Sequence, residues 1–432
     1  MADTLDNAQA ETGDEAKPTL PIKPLKQALA SDALDTVKDI VEPLHEADVA
    51  DIIEQLGAPE RDTFIEALGD DFSPEILSEI SDTVRADVLE SLPNPQIAQA
   101  LEQLDTDDSV DIFEDLGAQD QREVLEALED TSERRAIEEA LTYPEESAGR
   151  LMQRQHIAVP EFWDVGQTID FLRDDNDLTS EFWEIFVVDP RYRPVGTLAL
   201  SHVLRAQRGI CVRDLMKTEQ TLFTVEDDQE DVAYQFQQYN LISAAVVDQR
   251  GRLVGMITVD DVVDVINEEA QEDILALGGV GDTDINTSIF QTTRSRFVWL
   301  LVNLGTAILA SLVIALYEAE IAQLVALAVL MPIVASMGGN AGTQSLTVTV
   351  RSLATRDLSG ANLWRVLNRE VVVSFLNGVA LAAVLGGVAT LWFNDVRLGA
   401  VIAFAMVVNL VAAGLAGMLI PVVLDRLKID PA

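Results

Sequence analysis

Four apolar runs in the last third of the chain decide what it can fold into. They extend from Phe297 to Tyr317, Ile321 to Val350, Val371 to Phe393 and Leu398 to Leu424, and a helix needs about 20 such residues to cross a bilayer. Inside lipid every backbone N–H and C=O must be satisfied within the protein, so four runs of this length predict an α-helical transmembrane bundle. The basic residues alternate along it. Arg294 and Arg296 precede the first run, Arg351, Arg356, Arg365 and Arg369 separate the second from the third, and Arg426 and Lys428 follow the fourth. The other two connections carry Glu318 and Glu320, or Asp395 with Arg397. The positive-inside rule then assigns the N-terminal part to the cytoplasmic side of a cell (inner) membrane. Asn303, Asn377 and Asn409 interrupt three of the runs and are expected to face the bundle interior, hydrogen-bonding between helices.

Within the second run, Met331 to Leu353 reads MPIVASMGGNAGTQSLTVTVRSL. Glycines and small hydroxyls let helices approach closely, which is one use of such a cluster. Packing alone does not call for Asn340, Gln344 and several hydroxyls together. Gly339, Asn340, Gly342, Thr343, Gln344, Ser345 and Thr347 are therefore candidate pore-lining residues, uncharged oxygen donors along a water-filled path.

The soluble part is strongly acidic. The net charge is -44, and the first 290 residues hold 20 basic and 66 acidic side chains against nine and seven in the remainder. That balance excludes a nucleic-acid partner and favours cations, although solubility alone would also be served by it. A single cysteine, Cys211, excludes an internal disulfide and a cysteine-based zinc site. His45, His156 and His202 have no metal-ligand spacing, and no phosphate-binding loop is found, so an enzyme is not expected. Residues 1–17 lack a basic start and an apolar core and read as a disordered acidic tail.

From 18 to 141 short segments such as ADVADIIEQL, QIAQALEQL and SVDIFEDL put apolar residues three and four apart. Units of this kind bury their faces by stacking, which predicts an all-α superhelix. From 142 to 266 the pattern turns mixed. EIFVVD with PVGTLAL, and SAAVVD with LVGMITV, are an internal repeat of two strands followed by a helix. This order is similar to a tandem of CBS modules, at about 151–208 and 213–266. In the second copy Gly255, Thr258 and Asp261 resemble the signature with which such modules hold an adenosine ribose, whereas the first copy has Gly196, Ala199 and His202 in those places. The resemblance implies a single site, for ATP or another adenine nucleotide, with Thr258 and Asp261 as its residues. A pair that only transmits force or dimerises is the other reading.

Residues 267–293 form an acidic connecting segment. At 100° per residue Asp261, Asp264, Glu268 and Glu272 fall in a stripe about 80° wide, broadened by Glu269 and Asp273, with Val263, Ile266, Ala270, Ile274 and Leu277 opposite. No Lys or Arg lies between Asp260 and Arg294 to relieve it. Mg²⁺ binds through carboxylate oxygens while keeping waters, so these six acids are candidate metal ligands, beside the plain reading of a solvated face.

The order Pro332, Gly338-Gly339-Asn340, Gly342, Gln344-Ser345, Thr347 and Arg351, the linker YPEESAGRLM at Tyr143 to Met152, the module pair and the acidic helix together resemble the MgtE family of magnesium channels over nearly the whole chain. That resemblance implies a homodimer in a lipid membrane carrying Mg²⁺, with Mn²⁺ or Co²⁺ as further ions, and gated by cytoplasmic Mg²⁺. In it the helical domain docks on the module pair through bound magnesium, and the acidic helix is a plug at the pore mouth. A Na⁺- or H⁺-coupled exchanger and a sensor that does not transport remain as alternatives. The family's five membrane helices bring an aspartate to the pore on the fifth. Here four runs are found before Ala432, with no acidic residue inside them, so the transmembrane region 294–432 is expected to be incomplete, sensing Mg²⁺ but conducting poorly until such a helix is restored.

Overall fold

The computed structural model describes residues 20–429 apart from 32, 175–181, 280–288 and 359–361. The tail 1–17 and the middle of the connecting segment lie outside the described residues. The chain divides into two compact units, Met1–Ile266 and Asn267–Ala432.

The first unit begins with ten short α-helices between Ile22 and Ala140. Each is too short to be stable alone and gains its stability from the apolar face it buries. Leu25, Phe64, Leu77, Ile97 and Phe113 are wholly or almost wholly buried along one continuous core. Polar breaks set the helix ends: the His45 ring accepts from Ala47 N, and the Asp130 carboxylate accepts from Ser132 N. Arginines join successive helices in a repeating manner. Arg61 donates to the Asp87 carboxylate at 2.9 Å and caps the carbonyl of Ile53. Twenty-four residues later Arg85 does the same work for Asp111 and Asp115, at 2.7 and 2.6 Å. At the next repeat the slot is filled by Ser109, whose hydroxyl donates to Leu101 O.

Two three-stranded sheets follow. β1 (Ala158–Pro160), β2 (Glu184–Val188) and β3 (Pro194–Ala199) form one, and β4 (Leu222–Thr224), β5 (Ser243–Val247) and β6 (Leu253–Thr258) the other. In each the first pair is parallel and the second antiparallel. The four longer strands are those expected from the repeat; β1 and β4, three residues each, carry too little alternation to be read. The segment before each module pairs with the other module. Gln153 exchanges both backbone hydrogen bonds with Met256, and Lys217 does so with Thr197. Gly255 and Gly196 make this approach feasible, because a Cβ at either would stand 2.7 Å from the carbonyl of Gln153 or Lys217. Gly255→Ala should therefore cost about 1–3 kcal/mol, the usual penalty of overpacking, read as a lower unfolding midpoint with unchanged helix content.

Among the described residues of the second unit four helical stretches are long and apolar enough to cross a membrane: Thr292–Ala315, Val325–Ala354, Leu363–Phe393 and Val396–Arg426. The second, third and fourth pack on Leu330, Leu385, Ile402, Met406 and Leu410. Small residues bring their backbones together, as at Gly386, where a Cβ would lie 3.0 Å from Gly399 O. In the first span none of the described residues of the most apolar stretch is buried.

One expectation needs correction and another refinement. Asn409 does bond between helices, donating to Val334 O at 2.7 Å in space left by Gly338. Asn303 and Asn377 instead stand exposed, on faces that this chain does not cover. The third span helix also begins well before its apolar run, at Leu363, so Glu370 lies inside a membrane helix. Helix-forming residues and the continuous hydrogen-bond ladder extend it beyond the point where hydropathy alone sets its start. The apolar run itself holds no acidic residue, but the helix that carries it does, with Glu370 one residue ahead of the run.

Candidate cation-binding sites

A cluster of acidic side chains in the first unit sits where the helical region meets the second module. The helix Thr106–Glu114 starts with Asp105 at its N-cap and Asp107 and Asp108 in its first turn. Carboxylates are favoured at a helix N-terminus. Here they are also brought against another acidic helix start. The helix Val259–Leu277 opens with Asp260 and Asp261, and Asp261 accepts from Thr258 N at 3.1 Å and from Thr258 Oγ1 at 2.6 Å.

Gln153 lies between the two groups. Its amide nitrogen donates to Asp107 Oδ2 at 3.4 Å and to both oxygens of Asp261 at 3.3 Å. The same strand of chain ties the helical region down elsewhere: Arg154 pairs with Glu139 at 2.8 Å, the Gln155 side-chain Oε1 accepts from Thr106 Oγ1 at 3.2 Å, and Arg150 pairs with Glu114. One neutral amide cannot offset this much negative charge. Asp107 is buried, and its Oδ1 has no hydrogen-bond partner.

The electrostatics follow. Burial raises the Asp107 carboxyl well above the usual carboxylate range, and the charges of Asp261, Asp108 and Asp105 raise it further. Burial likewise pushes Asp108 up to about 7, with Asp261 and Asp105 adding to the effect and Arg85 opposing it. Asp261 is raised by burial too, against the lowering effect of the Thr258 hydrogen bonds. Such a cluster is stable with protons or with a cation bound, and oxygen-only donors suit a hard divalent ion that keeps some of its waters. Among the described residues no group of three or more His, Cys, Asp or Glu side chains is placed so as to hold a metal ion.

Of the six acids expected from the stripe, only Asp261 joins this cluster. Asp264, Glu268, Glu269, Glu272 and Asp273 continue down the same helix at its own pitch, and the structure does not gather them round one point. The opposite face differs from expectation as well. Val262 and Val265 are buried, whereas Val263, Ile266 and Ile274 are exposed, because it is the first pair that packs into the core of the second module. Asp105, Asp107, Asp108 and Gln153 were missed from sequence, where DTDDSV reads only as the polar start of a helix. Three acids at a helix start with no nearby base was the available signal. Thr258 and Asp261 do stand together, but facing Gln153.

In the second unit the polar segment splits into two faces. Gly338, Ser345, Thr349 and Val350 are buried. Gly342 also faces neighbouring chain, since its carbonyl lies within contact distance of Gly417. Gly339, Asn340, Thr343, Gln344 and Thr347 are exposed on the other side. Two of their hydroxyls turn back on the helix: Thr343 donates to Gly339 O and Thr347 to Thr343 O, at 3.1 and 3.0 Å. Small-residue packing therefore accounts for Gly342 and Ser345, while the other five candidates form an unsheathed polar strip.

Comparison with known proteins agrees with this division. Residues 331–432 match the MgtE family, described as a divalent cation transporter, residues 44–146 match the MgtE intracellular N domain, and residues 212–268 match the CBS domain. The magnesium transporter MgtE of Thermus thermophilus is 34% identical over 299 residues, 68% of this chain and 66% of its own length. That of Bacillus subtilis is 30% identical over 298 residues, 69% of this chain and 66% of its own. The chain thus spans slightly under two thirds of these relatives. A crystal structure of the cytosolic domain of the Mg²⁺ channel MgtE in complex with ATP aligns at 30% identity and a TM-score of 0.52, over 56% of this chain and 99% of that one. A helical region joined to paired modules, an acidic junction, four apolar helices and these matches along the sequence place the chain in the MgtE family.

Proposed function

We propose that this protein is a multi-pass magnesium transporter of the cell membrane, and that cytoplasmic Mg²⁺ controls it through the junction of Asp105, Asp107, Asp108, Asp260 and Asp261. The observation that carries this reading is Asp107, a buried carboxylate with an unpartnered oxygen, set among other acids beside the Gln153 amide. Mg²⁺ entering there neutralises charge that otherwise drives the helical region and the second module apart. The acidic stripe from Asp264 to Asp273 supplies further weak, water-mediated ligands on the connecting helix. The names of the relatives support Mg²⁺ as the cargo.

The ion path is proposed to run along Gly339, Asn340, Thr343, Gln344 and Thr347. A polar strip facing hydrocarbon is costly, so a second copy or another helix must sheathe it, which supports a homodimer. Neutral amide, hydroxyl and carbonyl oxygens suit an ion that dehydrates reluctantly. Asn340→Leu should reduce Mg²⁺ uptake into proteoliposomes to background, relative to the parent protein, without loss of folded material. Undiminished uptake would remove this strip from the path, and a rate that follows an imposed Na⁺ or H⁺ gradient would replace the channel reading with an exchanger.

An adenine nucleotide is proposed as a second ligand of the module pair, supported by the solved relative with ATP and by Thr258 and Asp261. Those two are engaged with each other and with Gln153, so a nucleotide at these residues must displace the amide. Asp261→Ala should weaken ATP binding, measured by calorimetry, about tenfold or more, and unchanged affinity would move the nucleotide elsewhere.

A further inference from the structure

Glu370 is the one acidic residue among the described residues in the body of the four long helices that touches a partner on another of them. Its carboxylate accepts from the Ser345 hydroxyl on the second span helix. Ser345 is itself only 4% exposed, and its carbonyl accepts from Thr349 Oγ1 at 2.7 Å. One turn beyond Glu370, Ser374 is also buried. The fourth span helix leaves a notch for this group. A Cβ on Gly414 would collide with Ser374 Oγ and lie 3.6 Å from Ser345 Oγ, and one on Gly417 would lie 3.0 Å from Ser345 Cβ. Three helices thus meet round one carboxylate–hydroxyl bond.

The position of that bond on the second span helix matters. At 100° per residue, Ser336, Asn340, Thr343 and Thr347 all lie within about 40° of the point opposite Ser345. Anchoring Ser345 therefore fixes the direction in which the polar strip looks. The glycines make close packing cheap, but a smooth glycine surface does not resist rotation of one helix about its axis. A directional hydrogen bond to a carboxylate does.

We propose that Glu370 is a positioning residue which, through Ser345, sets the rotation of the second span helix and so aims the Asn340 strip. The importance of that aim rests on the ion-path reading above, while the rotation itself is measurable without transport. In a Cys211→Ser background, single cysteines placed at 340, 343 and 347 and at the flanking positions 341 and 346 are labelled with a membrane-impermeant maleimide in liposomes. In the parent, labelling should be fast at the first three and slow at the flanks. Glu370→Ala should narrow that contrast by roughly tenfold, Ser345→Ala should reproduce the change, and the double variant should add nothing. Glu370→Gln, whose carboxamide oxygen still accepts from Ser345, should keep the parent pattern.

Unchanged labelling in both Glu370→Ala and Ser345→Ala would overturn the proposal. So would a Glu370→Gln variant that behaves like Glu370→Ala while Ser345→Ala behaves like the parent, since Glu370 would then act by its charge. Should Glu370→Ala fail to fold, Ser345→Ala and Glu370→Gln decide alone. Intact labelling in a protein without Mg²⁺ uptake would count against the ion path, and not against Glu370 as the anchor.

Discussion

Asp107→Asn should make the protein more stable than the parent at pH 8 without divalent cations, and should remove most of the stabilisation that Mg²⁺ gives. The reason is the charge buried with Asp107. Its carboxyl is raised well above the usual range and that of Asp108 reaches about 7. Between roughly pH 4 and 7 the folded protein holds the Asp108 proton and the unfolded chain has released it, and Asp107 acts in the same direction, so stability falls as pH rises. Above that range the Asp108 part of the penalty is fully present, on the order of a few kcal/mol for a carboxylate shifted to about 7. Mg²⁺ takes the place of the protons. Its effect should be small at pH 5 and large at pH 8, about 2.7 kcal/mol when the ion stands at a hundred times its dissociation constant. Thermal unfolding at the two pH values, with and without Mg²⁺, reads all four quantities. A variant less stable than the parent at pH 8 without Mg²⁺ would show that the carboxylate is structural there.

Arg85→Met should cost about 3–5 kcal/mol, the range for stranding a buried charge partner. Its guanidinium is 2% exposed and meets Asp82, Asp111 and Asp115. Removing it leaves Asp111 and Asp115 facing each other beside Asp108, whose carboxyl Arg85 also holds down. Two consequences should appear together: a lower midpoint for the helical region, and a Mg²⁺ stabilisation that begins at higher pH, because Asp108 then gives up its proton later. Arg61→Met is the internal comparison. It has one acid partner, Asp87, which is largely exposed, so its cost should be smaller and its Mg²⁺ response unchanged.

The parts legible in the sequence were those with a period. Apolar runs of membrane length and the repeated strand pairs each repeat a physical constraint several times, and the long helices and the four longer strands formed where these put them. The junction was not legible, because Asp107 and Asp261 are 154 residues apart and meet only when Gln153 pairs with Met256. On the connecting helix, periodicity showed an acidic stripe with apolar residues opposite, yet it could not say which of the two apolar edges would be buried, and Val262 with Val265 proved to be that edge. Glu370 was overlooked for a similar reason: hydropathy marks where a run becomes apolar, not where a helix begins. In the Asn340 segment the sequence supplied the candidates, and packing divided them, taking Gly342 and Ser345 and leaving the rest as a strip.

The most direct test of the account is hydrogen exchange in the full protein at pH 8, followed at residues 105–112 and 153–156 as Mg²⁺ is raised from zero to millimolar. The account predicts slow exchange in both segments once Mg²⁺ is present, faster exchange without it, and loss of the Mg²⁺ dependence in the Asp107→Asn, Asp261→Asn double variant. Mg²⁺-dependent protection that survives in the double variant, or protection in the parent that does not depend on Mg²⁺ at all, would contradict a cation bridge at this junction.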